Sequence, residues 1–148
     1  MPGMACGAAR GGEAVPRVVA PIVGRDDQFF WDGVAAGEFR VQRCRSCSRL
    51  RHPHAPMCGD CGSLEWDAVA LSGRGSVASW IVSRHPTEPD AIPRLVALID
   101  LEEGLRAVSN LVDLAPSAVR NDMPVVLTIR DYEGVLLPQF APAGAGDE

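Results

Sequence analysis

Two cysteine pairs of identical spacing, Cys44-Arg-Ser-Cys47 and Cys58-Gly-Asp-Cys61, are the residues of this chain best placed to do chemistry. Two sulfurs three positions apart on a tight turn face one metal ion, and a second such turn completes a tetrahedron. The set is that of a structural Cys₄ zinc site with no open coordination position, so the metal organises the fold and performs no reaction. A thioredoxin-like dithiol would need a single CxxC at a helix N-terminus in a βαβ context. Here there are two, both in loops. Gly59 and Gly62 suit positive φ and let backbone N–H groups approach the sulfurs. The stretch around them is poor in large apolar residues, so metal binding is expected to supply its folding free energy, about 10–16 kcal/mol in structural zinc peptides.

Arginines crowd the cysteines: Arg40, Arg43, Arg45, Arg49 and Arg51. Four thiolates on one Zn²⁺ carry a formal charge of −2, which these side chains offset. Alternatively, Arg43, Arg45, Arg49 and Arg51 form a patch for an anionic ligand such as the phosphates of coenzyme A, because the planar guanidinium fork matches phosphate oxygens. Both readings stand at this point. His52 and His54, between the pairs, read as solvated loop residues, since four cysteines already complete the ligand set. His85 ends a strand before Pro86 and has no identifiable nucleophile or carboxylate partner. Gly73-Arg-Gly75-Ser-Val-Ala78 formally fits the G-x-G-x-x-A dinucleotide fingerprint, but the next residues are strand-like and the fingerprint needs a helix there. No paired-carboxylate, H-E-x-x-H or G-x-S-x-G arrangement is present. All 14 basic residues are arginine, which removes Schiff-base and P-loop lysines from consideration.

The elements that must position these residues are arranged along the chain. Residues 1–24 are small, Gly-, Ala- and Pro-rich and aperiodic, and are expected to form a disordered leader in which Cys6 is an unpaired thiol. A short helix is expected over 25–38, opening on acidic residues and closing at Gly37. Phe30, Val34 and Ala35 share one face, and Phe29 and Trp31 widen it. Such a helix must be covered, either by its own domain or by a partner protein at Phe29, Phe30 and Trp31. The zinc ribbon spans 39–71, entering on Phe39 to Arg43 and leaving on Trp66 to Leu71. The domain over 72–142 alternates as strands at Gly75–Arg84, Leu95–Leu101, Leu105–Val112, Pro124–Tyr132 and Val135–Phe140. A helical turn near Pro116–Asn121, capped by Asp113 or Ser117, separates the third strand from the fourth. Three strands, a helical turn and two strands is the order of a five-stranded OB-type Greek-key barrel. A disordered tail closes the chain over 143–148. The fold class is therefore mainly β: an N-terminal helix, a zinc ribbon and a C-terminal OB-fold barrel.

Composition bounds the function. A length of 148 residues at 47% hydrophobic content supports one real core and little more. The net charge of −5 weighs against phosphate-backbone binding, and 5% aromatics leaves no stacking series for single strands. Trp66 and Trp80 read as packing residues. No apolar run approaches the roughly 20 residues of a membrane span, and no n-region and h-region mark a secretory signal. Paired CxxC motifs in a non-secreted chain point to a cytoplasmic location.

The ordered set of motifs resembles a known family. A Phe-Trp-x-Gly helix precedes Gln42-Arg-Cys-x-x-Cys47, then Cys58-x-x-Cys-Gly62 and Trp66. Next come Ser72-Gly-Arg-Gly75, Val77, Ser79-Trp80, a Val-Ala-Leu strand, Ser109-Asn-Leu111, Met123-Pro124 and Leu137-Pro-x-Phe140. Over residues 26–142 the chain is similar to the acyl-CoA-associated OB-fold proteins of domain-of-unknown-function family 35. The resemblance implies a rubredoxin-like zinc ribbon joined to an OB domain. It also implies an accessory or scaffold subunit, sometimes helping to bind coenzyme A, in a hetero-oligomer with a thiolase-like or lipid-transfer-type enzyme that performs the carbon–carbon chemistry. The chain departs from the family pattern at His52-Pro-His-Ala-Pro56, where Pro-Pro-Arg is common. Two other functions compete: an OB-fold nucleic-acid binder, and an enzyme binding acyl-CoA in the barrel mouth.

Overall fold

In the computed structural model, which describes residues 18–144, the first regular element is helix α1, Gln28–Ala35. Asp27 sits at its N-cap, but its carboxylate does not cap the helix. It turns back to accept the Gly24 N–H at 2.7 Å and the Trp31 indole N–H at 3.1 Å. The helix ends as the glycine predicts. Gly37 adopts φ +80°, its N–H bonds the Val34 carbonyl at 3.0 Å, and the Glu38 N–H bonds the Gly33 carbonyl at 2.8 Å. This is a Schellman closure, which satisfies two otherwise orphaned carbonyls. Of the expected apolar face, Val34 is buried and Phe30 packs on the core, whereas Ala35 is exposed. The expectations for Cys6 and for most of the leader and tail lie outside the described residues.

Three short antiparallel strands form the ribbon sheet in the order β2-β1-β3: β1 Arg40–Cys44, β2 Leu50–Arg51 and β3 Trp66–Ala70. The two-residue β2 is too short for any periodicity to reveal; only its pairing with β1 defines it. Strands β4 Arg74–Ser83, β5 Arg94–Leu101, β6 Arg106–Leu111, β7 Pro124–Tyr132 and β8 Val135–Pro142 close into a barrel ordered β4-β5-β6-β8-β7. The seam between β6 and β8 is parallel and rests on Leu111 opposite Phe140. All other pairs are antiparallel. This is the five-stranded OB architecture read from the order of elements.

Turn chemistry sets the registers. Glu133 and Gly134 both take positive φ, at 55° and 93°, joining Tyr132 to Val135 in the type I′ geometry that suits twisted hairpins. Gly75 is required for another reason: a Cβ there would lie 2.6 Å from the Asp100 carbonyl oxygen on β5. The turn at Pro116–Ala118 is a single 3-10 turn with no side-chain cap. Asp113, expected as a cap, instead takes φ 62° and pairs with Arg130.

Inward residues of the barrel, Val77, Leu95, Ala97, Ile99, Leu101, Ala107, Leu111, Val125 and Phe140, form one cluster with Phe39 and Val41 of the ribbon. Leu50 and Val69 pack against it, and the Phe39 and Phe140 ring centroids are 6.2 Å apart. The base of the ribbon therefore shares the core of the barrel. β1 and β3 thus have apolar support of their own at the base of the ribbon. Among the described residues, no helix is long and apolar enough to cross a membrane.

Candidate metal centre

Cys44 ends β1, while Cys47, Cys58 and Cys61 lie in the turns beyond it. The two turns repeat each other in backbone detail. The Cys44 N–H bonds the Arg49 carbonyl at 2.8 Å and the Ser48 N–H bonds the Cys44 carbonyl at 2.9 Å. In the second turn, the Cys58 N–H bonds the Ser63 carbonyl at 2.9 Å and the Gly62 N–H bonds the Cys58 carbonyl at 2.9 Å. The residue after each second cysteine is left-handed: Ser48 at φ 62° and Gly62 at φ 73°. Gly62 thus serves as the sequence suggests. Gly59 does not take positive φ, and the strained non-glycine position, Ser48, carries no sequence signal.

This twofold-like geometry brings the four sulfurs within 4.8 Å of one another, with Cys44–Cys61 and Cys47–Cys58 each at 3.6 Å. Zinc–sulfur bonds of about 2.3 Å place tetrahedral sulfurs about 3.8 Å apart. The donor set therefore fits a structural Zn²⁺, held by Cys44, Cys47, Cys58 and Cys61. Cys44 and Cys58 are buried while Cys47 and Cys61 face outward.

Backbone donors aim at the sulfurs in the same repeated pattern. The N–H groups of Cys61 and Asp60 pull the Cys58 thiol down to about 6. Those of Cys47 and Ser46 lower Cys44. On Cys47 the Arg49 N–H also pulls downward, but the bond to Cys58, burial and the other sulfurs override it and push the thiol up to about 12. Cys61 is raised too: against the Ser63 N–H stand its bond to Cys44 and burial. Without metal the outer pair holds its protons more tightly than the inner pair, and every proton present must leave when all four sulfurs bind.

The arginines separate into distinct environments. Arg43 makes a two-pronged ion pair with Asp67, Nε to Oδ1 at 3.0 Å and Nη2 to Oδ2 at 2.7 Å, directly across β1 and β3. Arg49 pairs with Asp60 between the knuckles. Arg51 is buried, its Nε donating to Gln42 Oε1 at 3.1 Å, and solvent does not reach its terminal nitrogens. Arg45 is exposed and meets no carboxylate among the described residues. The expected four-arginine anion patch therefore has one open guanidinium in this conformation, because carboxylates or burial engage the other three.

The aromatic helix is covered largely from within. Phe30 lies edge-on to Phe39 with centroids 5.3 Å apart, and Phe29 lies 4.9 Å from Trp66. His52 departs from its reading as a solvated loop residue. Its ring packs 5.0 Å from Phe39 and 5.8 Å from Phe30, and burial, with His54 nearby, lowers its pKa. His54 is exposed at 6.4 Å from Phe29. The missed signal is that the Pro53 turn after β2 folds His52 back under α1. Among the described residues, His85 hydrogen-bonds only Thr87. A crevice of about 370 Å³ at the junction of α1, ribbon and barrel is lined by Phe39, Leu71, Gly73, Arg74 and Leu127 among others, and its lining holds no histidine or cysteine.

Comparison with known proteins agrees with this two-part architecture. The ChsH2 rubredoxin-like zinc ribbon domain matches residues 31–67, and the ChsH2 C-terminal OB-fold domain matches 68–130. A protein of Thermomonospora curvata named probable enoyl-CoA hydratase alpha subunit is 42% identical over 130 residues, covering 86% of this chain and 41% of that protein. A DUF35 domain-containing scaffold protein of Pyrococcus furiosus is 32% identical over 95 residues, covering 60% of this chain and 70% of its own length. Among solved structures, a chain of the Ltp2-ChsH2(DUF35) aldolase superposes with a TM-score of 0.77 at 42% identity, covering 84% of this chain and 99% of that one. The chain spans about two fifths of the length of the curated hydratase subunits it matches. A Cys₄ ribbon whose base shares the core of an OB barrel, matched at this identity over nearly a whole relative, makes the chain a member of the DUF35 family in its ChsH2 form.

Proposed function

We propose that this chain is a non-catalytic accessory or scaffold subunit of a thiolase-fold enzyme acting on acyl-CoA, such as an aldolase, lyase or acyltransferase. The observation that carries the reading is its likeness to a chain solved in the Ltp2-ChsH2(DUF35) aldolase, which the present chain covers almost completely. The side chains support it. The four reactive sulfurs are consumed by a closed metal site, and among the described residues no histidine forms an ion pair with a carboxylate, His85 meeting only the exposed Thr87 at 3.4 Å. The subunit contributes shape and surface, and its partner performs the bond-making step.

Phe30 is committed to the chain's own core, so partner contact at the helix falls to the outer rims of Phe29 and Trp31. Any help in holding coenzyme A falls first to Arg45, the open guanidinium of the ribbon. A thiolate cluster of this kind persists in a reducing compartment, and we assign the chain to the cytoplasm.

Co-expression with a thiolase-fold protein encoded beside it, followed by size-exclusion chromatography and an aldol-cleavage or acyl-transfer assay, tests the reading. The expected result is one hetero-oligomeric peak, with activity only in the assembled pair. A chain that stays monomeric beside that partner, or that turns over acyl-CoA alone, would overturn it.

A further inference from the structure

One charged residue of the ribbon carries donors that the fold leaves unused. Arg51 is 8% exposed, and both of its terminal nitrogens are sealed from solvent with no acceptor. A buried guanidinium with idle donors is costly unless a negative charge lies close by. The register brings a cluster sulfur to the same face. Arg51 stands opposite Gln42 on β1, and Cys44 lies two residues further along the same strand. Arg51 and Cys44 therefore project from one face as diagonal neighbours, a separation that long side chains span. Both are buried. Three other ribbon arginines already meet carboxylates, Arg40 with Glu38, Arg43 with Asp67 and Arg49 with Asp60, although Arg49 also lies near Cys47 and Cys58 at the exposed rim.

We propose that Arg51 is the buried countercharge of the metal cluster, a positioning residue whose fixed positive charge offsets the −2 of Zn(Cys)₄ from inside the fold. Charges in the interior are screened far less than those at the surface, so this one acts on the cluster without touching it. The same residue couples the metal to the helix. Gln42 Oε1 accepts from Arg51 Nε at 3.1 Å and from the Ala55 N–H at 2.9 Å. That network holds the turn carrying His52, whose ring packs against Phe30 of α1. Loss of the metal leaves Arg51 unbalanced and loosens the seat of α1, the element bearing the candidate partner surface.

The test is Zn²⁺ affinity of the full chain by chelator competition, with the charge-transfer spectrum of the Co²⁺-loaded protein as a second readout. Removing the charge in Arg51→Met should weaken Zn²⁺ binding by about 10–100-fold, the usual range for outer-shell partners of a metal site. Arg51→Lys keeps the charge while losing the fork, and should stay within about fivefold of the native chain. Gln42→Glu gives Arg51 a carboxylate of its own; it should weaken binding like Arg51→Met and shift the Co²⁺ band without removing any arginine. A merely buried, unhelpful arginine predicts the opposite sign, because replacing such a charge by an apolar side chain is often neutral or stabilising. Binding by Arg51→Met as tight as or tighter than the native chain would therefore overturn the proposal, as would Arg51→Lys binding no better than Arg51→Met. If Arg51→Met does not fold, Gln42→Glu against Arg51→Lys decides.

Discussion

Acidification of the metal site has an outcome that can be counted in protons. In the metal-free knuckles Cys58 sits at about 6, under the N–H groups of Cys61 and Asp60, and Cys44 lies below the ordinary cysteine value. Cys47 is pushed up to about 12, and Cys61 is raised. Zinc accepts only thiolates. At pH 8 binding must therefore expel at least the two protons of Cys47 and Cys61; at pH 5, below the Cys58 value, it must expel at least three. The metal-free site holds more protons than the loaded one, so affinity falls as pH falls. The slope is at least about a hundredfold per pH unit near pH 8 and at least about a thousandfold per unit near pH 5. Calorimetry of zinc binding in buffers of different ionisation enthalpy counts the protons, and chelator competition gives the slope. Four independent thiols near 8.5 would release about three protons at pH 8. A count of three or more there, or one that does not grow between pH 8 and pH 5, would refute the idea that backbone hydrogen bonds preform the knuckles.

Other perturbations probe the surrounding frame. His52 is held neutral by burial, so below about pH 6.5 the unfolded chain takes up a proton that the folded one refuses. Stability should fall as pH drops through that range, and His52→Leu should flatten the fall in denaturant titrations of the zinc-loaded chain. Gly75→Ala drives a Cβ into the Asp100 carbonyl oxygen and should cost about 2–4 kcal/mol in urea unfolding, whereas Gly59→Ala, with open space around it, should be silent. Phe30→Ala removes a ring packed on Phe39 and His52 and should cost about 2–3 kcal/mol even without a partner. Equal stability of that variant would mean that α1 is not part of the core.

The metal site and the barrel were legible for different reasons. Ligand spacing is a local property, and a CxxC turn presents its sulfurs whatever surrounds it, so the four cysteines could be read directly. Strand alternation in β5, where Leu95, Ala97, Ile99 and Leu101 all point inward, is likewise written in the chain with period two. β2 was not legible, because two residues carry no period and only their pairing with β1 makes them a strand. The roles of the arginines were not legible either. Arg43, Arg45, Arg49 and Arg51 are chemically alike and nearly adjacent, yet one is paired across a sheet, one is open, one is paired across the knuckles and one is buried.

Sequence by itself determined what depends on neighbours along the chain: the sulfur donor set, the glycine that closes α1, the hairpin turns and the order of strands that admits an OB barrel. Tertiary structure alone decided what depends on neighbours in space. It placed His52 between two phenylalanines, spent the Phe30 face of the helix on the chain's own core, and fused the base of the ribbon to the barrel. The physical reason is that burial and pairing of a side chain are set by residues tens of positions away, and no local period encodes which of several like residues will meet them.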